Sequence, residues 1–249
     1  MRILGIVILV LGLVVGAVTL FAPASLADRA LESNSNGRLR LADTNGTLWS
    51  GGGTLTDATN SWRVPLRWSV PPRSLMSSMH ELVLEPVPGA AMPTGVVGIG
   101  KDSASLRDFA VEIPAQALAG MLGARGAVTL GGTLALRTPS LDWNGNQASG
   151  SLNAQWSDAR LAVGNAVANL GAVDVALAPA GDRLAGPLRN SGGDVRIDGN
   201  VSVAGRTVDV SANVAPAAGA PPHIALALAA LGPPDAAGNV RVAWRGLLR

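Results

Sequence analysis

The sequence predicts an all-β protein behind an N-terminal membrane helix, and three observations carry that reading. Residues 3–22 (ILGIVILVLGLVVGAVTLFA) hold no charged side chain, and about 20 apolar residues span a bilayer as a helix. Beyond them, segment after segment alternates apolar and polar residues, with Gly, Asn and Pro turns between. The aromatic supply is thin, with 2 Phe, no Tyr and 6 Trp, and Ala, Val and Gly fill many inward positions. Small inward residues suit a shallow, curved sheet better than a thick sandwich. The expectation is an N-terminal transmembrane helix followed by an extended, curved, mainly antiparallel β-sheet domain with one or two short helices. Residues 1–27 form the anchor and a short linker, and residues 28–249 the β-rich domain.

Arg2 precedes the apolar run, and Asp28, Arg29, Arg38 and Arg40 follow it. Charge near the span is therefore nearly balanced. A single span before a long polar domain leaves the N-terminus inside and the bulk translocated. A cleaved signal is the rival, because Ser25-Leu26-Ala27 precedes Asp28. Signal h-regions are about 7–15 residues long, shorter than this run, which favours a retained anchor. Gly12 and Gly16 have the GxxxG spacing of a helix-association face, although glycine is common in membrane helices.

The first strands flank Asn45-Gly46, a strong hairpin signal, and Gly51-Gly52-Gly53 reads as a second break. Residues 62–70 then alternate, with Trp62, Val64, Leu66, Trp68 and Val70 on one face and Arg63, Pro65, Arg67 and Ser69 on the other. Pro65 cannot donate to a ladder, so this strand is expected at an edge or a bulge. That makes Arg63 and Arg67 candidate interface residues. A short helical piece and a strand are expected over 73–84, strands over 95–100 and 106–113, and a short helix over 115–122 after Pro114. Further strands are expected over 128–137, 151–161, 173–177, 195–203, 206–214, 223–228 and 240–244. A two-residue loop at Ala204-Gly205 pairs Val201 with Val208 and Asn200 with Asp209, apolar with apolar and polar with polar. A loop of odd length mixes the faces.

Composition excludes several function classes. A net charge of +2 without basic runs argues against nucleic acid. The absence of cysteine rules out disulfides and thiolate metal sites. Gly95 to Gly100-Lys101 begins like a phosphate-binding loop, but Asp102 stands where Ser or Thr must hold magnesium. His80 and His223 are isolated, no G-x-S-x-G elbow exists, and Asp194 and Asp198 are too far apart along a strand to share an ion. No catalytic, cofactor or metal residue is assigned.

Several motifs resemble one family. Asn45-Gly46-Thr47-Leu48-Trp49-Ser50-Gly51 resembles the "GTLW-x-G" signature of type II secretion system protein N (GspN). Leu66-Arg67-Trp68-Ser69-Val70-Pro71 is similar to its next element. Leu141-Asp142-Trp143, then Gly150 through Trp156-Ser157-Asp158-Ala159, resemble its middle. Leu231-Gly232-Pro233-Pro234-Asp235 to Gly238, followed by Trp244-Arg245-Gly246, resembles its ending. Residues 215–222 fit no motif. The resemblance implies a bitopic inner-membrane accessory, without enzymatic activity or cofactor, that contacts other type II secretion components in the periplasm. Signature residues Gly46, Thr47, Trp49, Gly51, Trp68, Pro71, Trp143, Trp156, Gly232, Pro234, Gly238 and Gly246 then read as fold residues. A carrier with an apolar groove for lipid or another amphipath is the alternative.

Overall fold

The computed structural model describes residues 22–87, 89, 93–117, 128–144, 147–163 and 166–247. The expected membrane segment, with Gly12 and Gly16, lies outside them apart from Ala22. Most of the short helix expected over 115–122 does too. Among the described residues no helix is long and apolar enough to cross a membrane.

Among the described residues, fourteen strands form one antiparallel sheet that runs in sequence order. They are β1 (Leu39–Gly46), β2 (Ser50–Asp57), β3 (Arg63–Ser69), β4 (His80–Glu85), β5 (Thr94–Ile99), β6 (Ala104–Pro114) and β7 (Val128–Trp143). Then come β8 (Ala148–Gly150), β9 (Leu152–Val163), β10 (Ala166–Ala180), β11 (Arg183–Ser191), β12 (Val195–Ala204), β13 (Thr207–Pro216) and β14 (Val240–Leu247). Only β8 leaves the path, pairing with β7 beside β9. β1 and β14 are the two ends, so the sheet is open.

Period-2 alternation gives the sheet two unlike faces, because residues directly opposite one another share a face. Trp68 stands opposite Gly51 and Leu84, and Val175 opposite Ala154 and Leu188. Val201 meets Gly186 and Val210, and Val210 meets Trp244. One face is thus lined by Leu, Val and Trp from end to end. The other presents side chains such as Arg67, Glu85, Arg189, Asp198, Asp209 and Arg245. Asp43, Asp108 and Asp158 have positive φ and sit at register shifts in β1, β6 and β9. Aspartate tolerates this conformation better than most residues, and such bulges increase local twist and bend the strand. They curve the sheet.

Among the described residues, two helices pack on the apolar face near its ends. α1 (Ser25–Asn34) lies against β1, and Ala24, Leu41 and Trp68 are buried together there, with Ala27 and Leu31 packed on them. Trp62, Val64 and Ala117 form an adjoining cluster. α2 (Pro222–Leu231) covers the other end, where Ile224 and Leu228 are buried with Val195 and Val240.

Four expectations need correction. Residues 223–228 are helical, not a strand. Ile224 and Leu228 are one helical turn apart and buried, while Leu226 between them is 73% exposed. The Ala-Leu run favours helix, and Pro222 stands in the first turn, where its missing N–H costs nothing. The first hairpin exists, but Gly46 ends β1 and the chain turns over 47–49. Gly51-Gly52-Gly53 is not a break but part of β2, opposite Trp68, Arg67 and Leu66. β3 is an interior strand, between β2 and β4. Its ladder to β4 begins only at Arg67, so Pro65 faces a local gap and its missing donor is tolerated. Finally, the hairpin loop of β12 and β13 is Gly205-Arg206, pairing Val201 with Val210. Face parity was right and the register shifted by two, since parity cannot distinguish shifts of two residues.

Candidate functional site

The signature residues gather at two places. At the first, Thr47, Leu48 and Trp49 form the turn between β1 and β2, closed by the Thr47 N–H donating to the Ser50 carbonyl at 2.9 Å. The Ser50 N–H donates to Thr47 Oγ1 at 3.1 Å. Gly46 has φ +81°, and a Cβ there would lie 2.6 Å from the Ser50 carbonyl oxygen. Gly51 lets Trp68 approach, since a Cβ there would lie 2.8 Å from the indole ring. Trp68 is 5% exposed, and its indole N–H donates to the Leu48 carbonyl at 3.0 Å. The Val70 N–H reaches the Trp49 carbonyl at 2.7 Å, and Pro71 follows in extended conformation. Gly46, Thr47, Trp49, Gly51, Trp68 and Pro71 therefore build one corner.

The second place is the turn between α2 and β14. The Asp235 carboxylate accepts the N–H groups of Ala237 (2.9 Å) and Asn239 (2.8 Å) and the Asn239 amide. These bonds, the Asn239 side chain first, hold its carboxyl below the usual range. Gly238 has φ +80° in this turn. Gly232 and Pro234 lead into it, and Gly246 lies directly under the Trp244 ring. Trp143 and Trp156 belong to neither place. Trp156 ties β9 to β7 by donating to the Gly131 carbonyl at 2.9 Å.

The two outer strands have different surroundings. The outward groups of β1 are taken by α1 and the chain before it. Asp28 Oδ1 accepts the Leu41 N–H at 2.7 Å, and Ser35 Oγ accepts the Leu39 N–H at 3.0 Å. Pro23 bridges to Thr47, and the Leu48 N–H donates to the Ala22 carbonyl at 2.8 Å. Arg40 donates to Asp28 at 3.0 Å and to Glu32 at 3.3 Å. The Arg40 hydrogen bond is the largest effect holding the Asp28 carboxyl below its ordinary value. Such packing and pairing were not legible in sequence; the 3–4 spacing of Ala24, Ala27 and Leu31 was the available signal for α1. At β14, no strand lies on the outer side among the described residues. Trp244 is 50% exposed there.

Arg63 and Arg67 lie exposed on the polar face, and Arg63 pairs with Asp43 at 2.5 Å. His80 stands near the Ser74 carbonyl at 3.2 Å, while His223 is exposed at the start of α2. Lys101 and Asp102 are exposed in the turn between β5 and β6, which closes through the Gly100 N–H on the Ser103 carbonyl. Among the described residues no three His, Asp or Glu side chains group to hold a metal ion.

The described residues thus form an open antiparallel sheet with one apolar face and two unlike edges. The chain belongs to the type II secretion system protein N family: the family model described as Type II secretion system (T2SS), protein N, matches residues 37–243. No curated protein and no solved structure matches it. The matched span takes in the first signature cluster and Gly232, Pro234 and Gly238 of the second, while Gly246 lies beyond it.

Proposed function

We propose that this chain is a non-enzymatic accessory of the type II secretion machinery, anchored in the bacterial inner membrane by residues 3–22, with its sheet in the periplasm, acting by contact with other secretion components. The family match over residues 37–243 carries the assignment to the machinery. The fold supports retention of the anchor. Ala24 is 2% exposed in the first core cluster, and Ala22 and Pro23 are bonded to the first turn. Cleavage after Ala27 would remove all three. The polar face, including Arg63 and Arg67, is available for partners.

The test is a deletion strain complemented with the full-length chain, scoring export of a folded substrate. Protease added to spheroplasts should digest the sheet domain, and the purified protein should begin at or near Met1. Full export without the protein contradicts the secretion role, and a mature terminus at Asp28 contradicts the anchor.

One observation favours a second reading, an amphipath carrier. Along the apolar face, Val97, Leu106, Leu136, Val201, Val210 and Val242 are only half-buried, and between the two helical ends no second sheet covers them among the described residues. A half-exposed apolar face suits an acyl chain. Displacement of a fluorescent fatty acid from the full-length protein, sensitive to Val201→Asp, supports the carrier; absence of binding leaves the contact role alone.

A further inference from the structure

The outer edge of β14 combines three features. Its backbone has no described partner on that side. The apolar face there shows Val242 and Trp244, half-buried and 50% exposed. The polar face carries Arg241 and Arg245 with Ala243 between them. Arg245 donates its Nε–H to Asp209 on β13, which leaves the rest of its fork of donors. Arg241 makes no ion pair among the described residues and borders a shallow polar depression with Asn213, Ser211 and Asp198.

An unpaired edge is a template for an added strand, and the charges select which one. A second copy's β14 brings no carboxylate to these arginines. Two face-matched antiparallel pairings of β14 with itself share the longest overlap: the one centred on Ala243 sets Arg241 opposite Arg245, and like charges directly opposite are unfavourable, while the one centred on Trp244 sets Arg245 opposite Ala243 and gives neither arginine an acidic partner. A second copy's β1 offers Leu39 and Leu41 N–H groups already bonded to Ser35 and Asp28.

We propose that β14 is the docking edge for an extended segment of another protein that alternates acidic and apolar residues. This rests on the reading of the chain as a contact-making secretion component. The incoming strand places carboxylates four residues apart opposite Arg241 and Arg245. It places apolar side chains opposite Val242 and Trp244.

The probe is a labelled synthetic peptide alternating Glu and Val, titrated by fluorescence anisotropy against the full-length protein in detergent. A Lys/Val peptide of equal length is the control. The Glu/Val peptide is expected to bind, and the double variant Arg241→Glu/Arg245→Glu to weaken it by about tenfold, as expected when two cross-strand pairs turn repulsive. Arg241→Glu alone keeps the Arg245–Asp209 pair and should give part of that loss. The double variant should gain affinity for the Lys/Val peptide, which also shows that it is folded. Arg40→Glu, at the covered edge, should leave binding unchanged. Equal binding of both peptides by the parent, or loss that follows Arg40 and not Arg241, overturns the proposal. Export in the deletion strain is scored separately, so failure of the secretion role and failure of the edge remain distinct.

Discussion

The two outer strands of this sheet have the same chemistry in their backbones and opposite surroundings. β1 is roofed by α1, whose Asp28 carboxylate takes the outward N–H of Leu41 while the hydroxyl of Ser35, just past its end, takes that of Leu39. β14 is bare on its outer side among the described residues. A bare edge invites pairing, and proteins cover, charge or shorten their edges. Here one edge is covered and the other is marked by arginines. The difference teaches that the N-terminal end of the sheet is closed by its own chain, while the C-terminal end leaves its backbone open among the described residues, as the proposed docking edge requires.

The comparison breaks most visibly at Trp68. Trp68→Ala removes the buried tryptophan of the first corner and its bond to Leu48, and should cost about 3–5 kcal/mol. Trp244→Ala, at the open edge, should stay within about 1 kcal/mol. Denaturant midpoints of the two variants measure this, and similar losses at both tryptophans would erase the distinction.

Gly46→Val should come next. The residue has positive φ and its Cβ would meet the Ser50 carbonyl, so a strain of about 1–3 kcal/mol is expected. Unchanged thermal stability would show that the corner does not depend on this geometry.

Asp28→Asn sharpens the comparison at the covered edge, with an expected cost of about 1 kcal/mol for weakened bonds to Leu41 and Arg40. Acid should act in the same direction. The folded carboxyl titrates below its ordinary value, so its contribution is complete above the unfolded pKa of about 3.9 and is lost as pH falls through the lower folded value. Release of α1 should then expose β1 below about pH 4. Self-association that appears on acidification of the parent, and at neutral pH in Asp28→Asn, is the expected signature in light scattering.

Arg241→Glu should have the smallest effect on stability, within about 0.5 kcal/mol, while peptide binding falls. Loss of stability comparable to Gly46→Val would make this arginine part of the fold.

Much of the sheet was legible because alternation reports which face a residue takes. Trp62, Val64 and Trp68 are buried as their spacing implies, while Arg63 and Arg67 are exposed. Long-range facts were less accessible. β11 went unread because Pro187 and Gly186 interrupt its alternation, although Pro187 occupies a rung opposite Asn200. α2 looked like a strand because apolar residues at every second position also contain the i, i+4 pair Ile224 and Leu228. The edges were misplaced because Pro65 signals a missing donor but not how far a neighbouring strand extends. The family resemblance marked residues that build corners; the Asp28–Leu41 bond lies in no motif, and the Trp244-Arg245-Gly246 motif on β14 gave no sign that its outer side is bare.

Residue-resolved amide hydrogen exchange on the full-length protein tests the unequal edges most directly. The Leu39 and Leu41 amides should be protected, through Ser35 and Asp28, and should lose protection in Asp28→Asn. The outward amides of β14 should exchange fast and become protected when the Glu/Val peptide is added. Fast exchange at Leu39 and Leu41, or slow exchange along both faces of β14 in the free protein, would contradict the account.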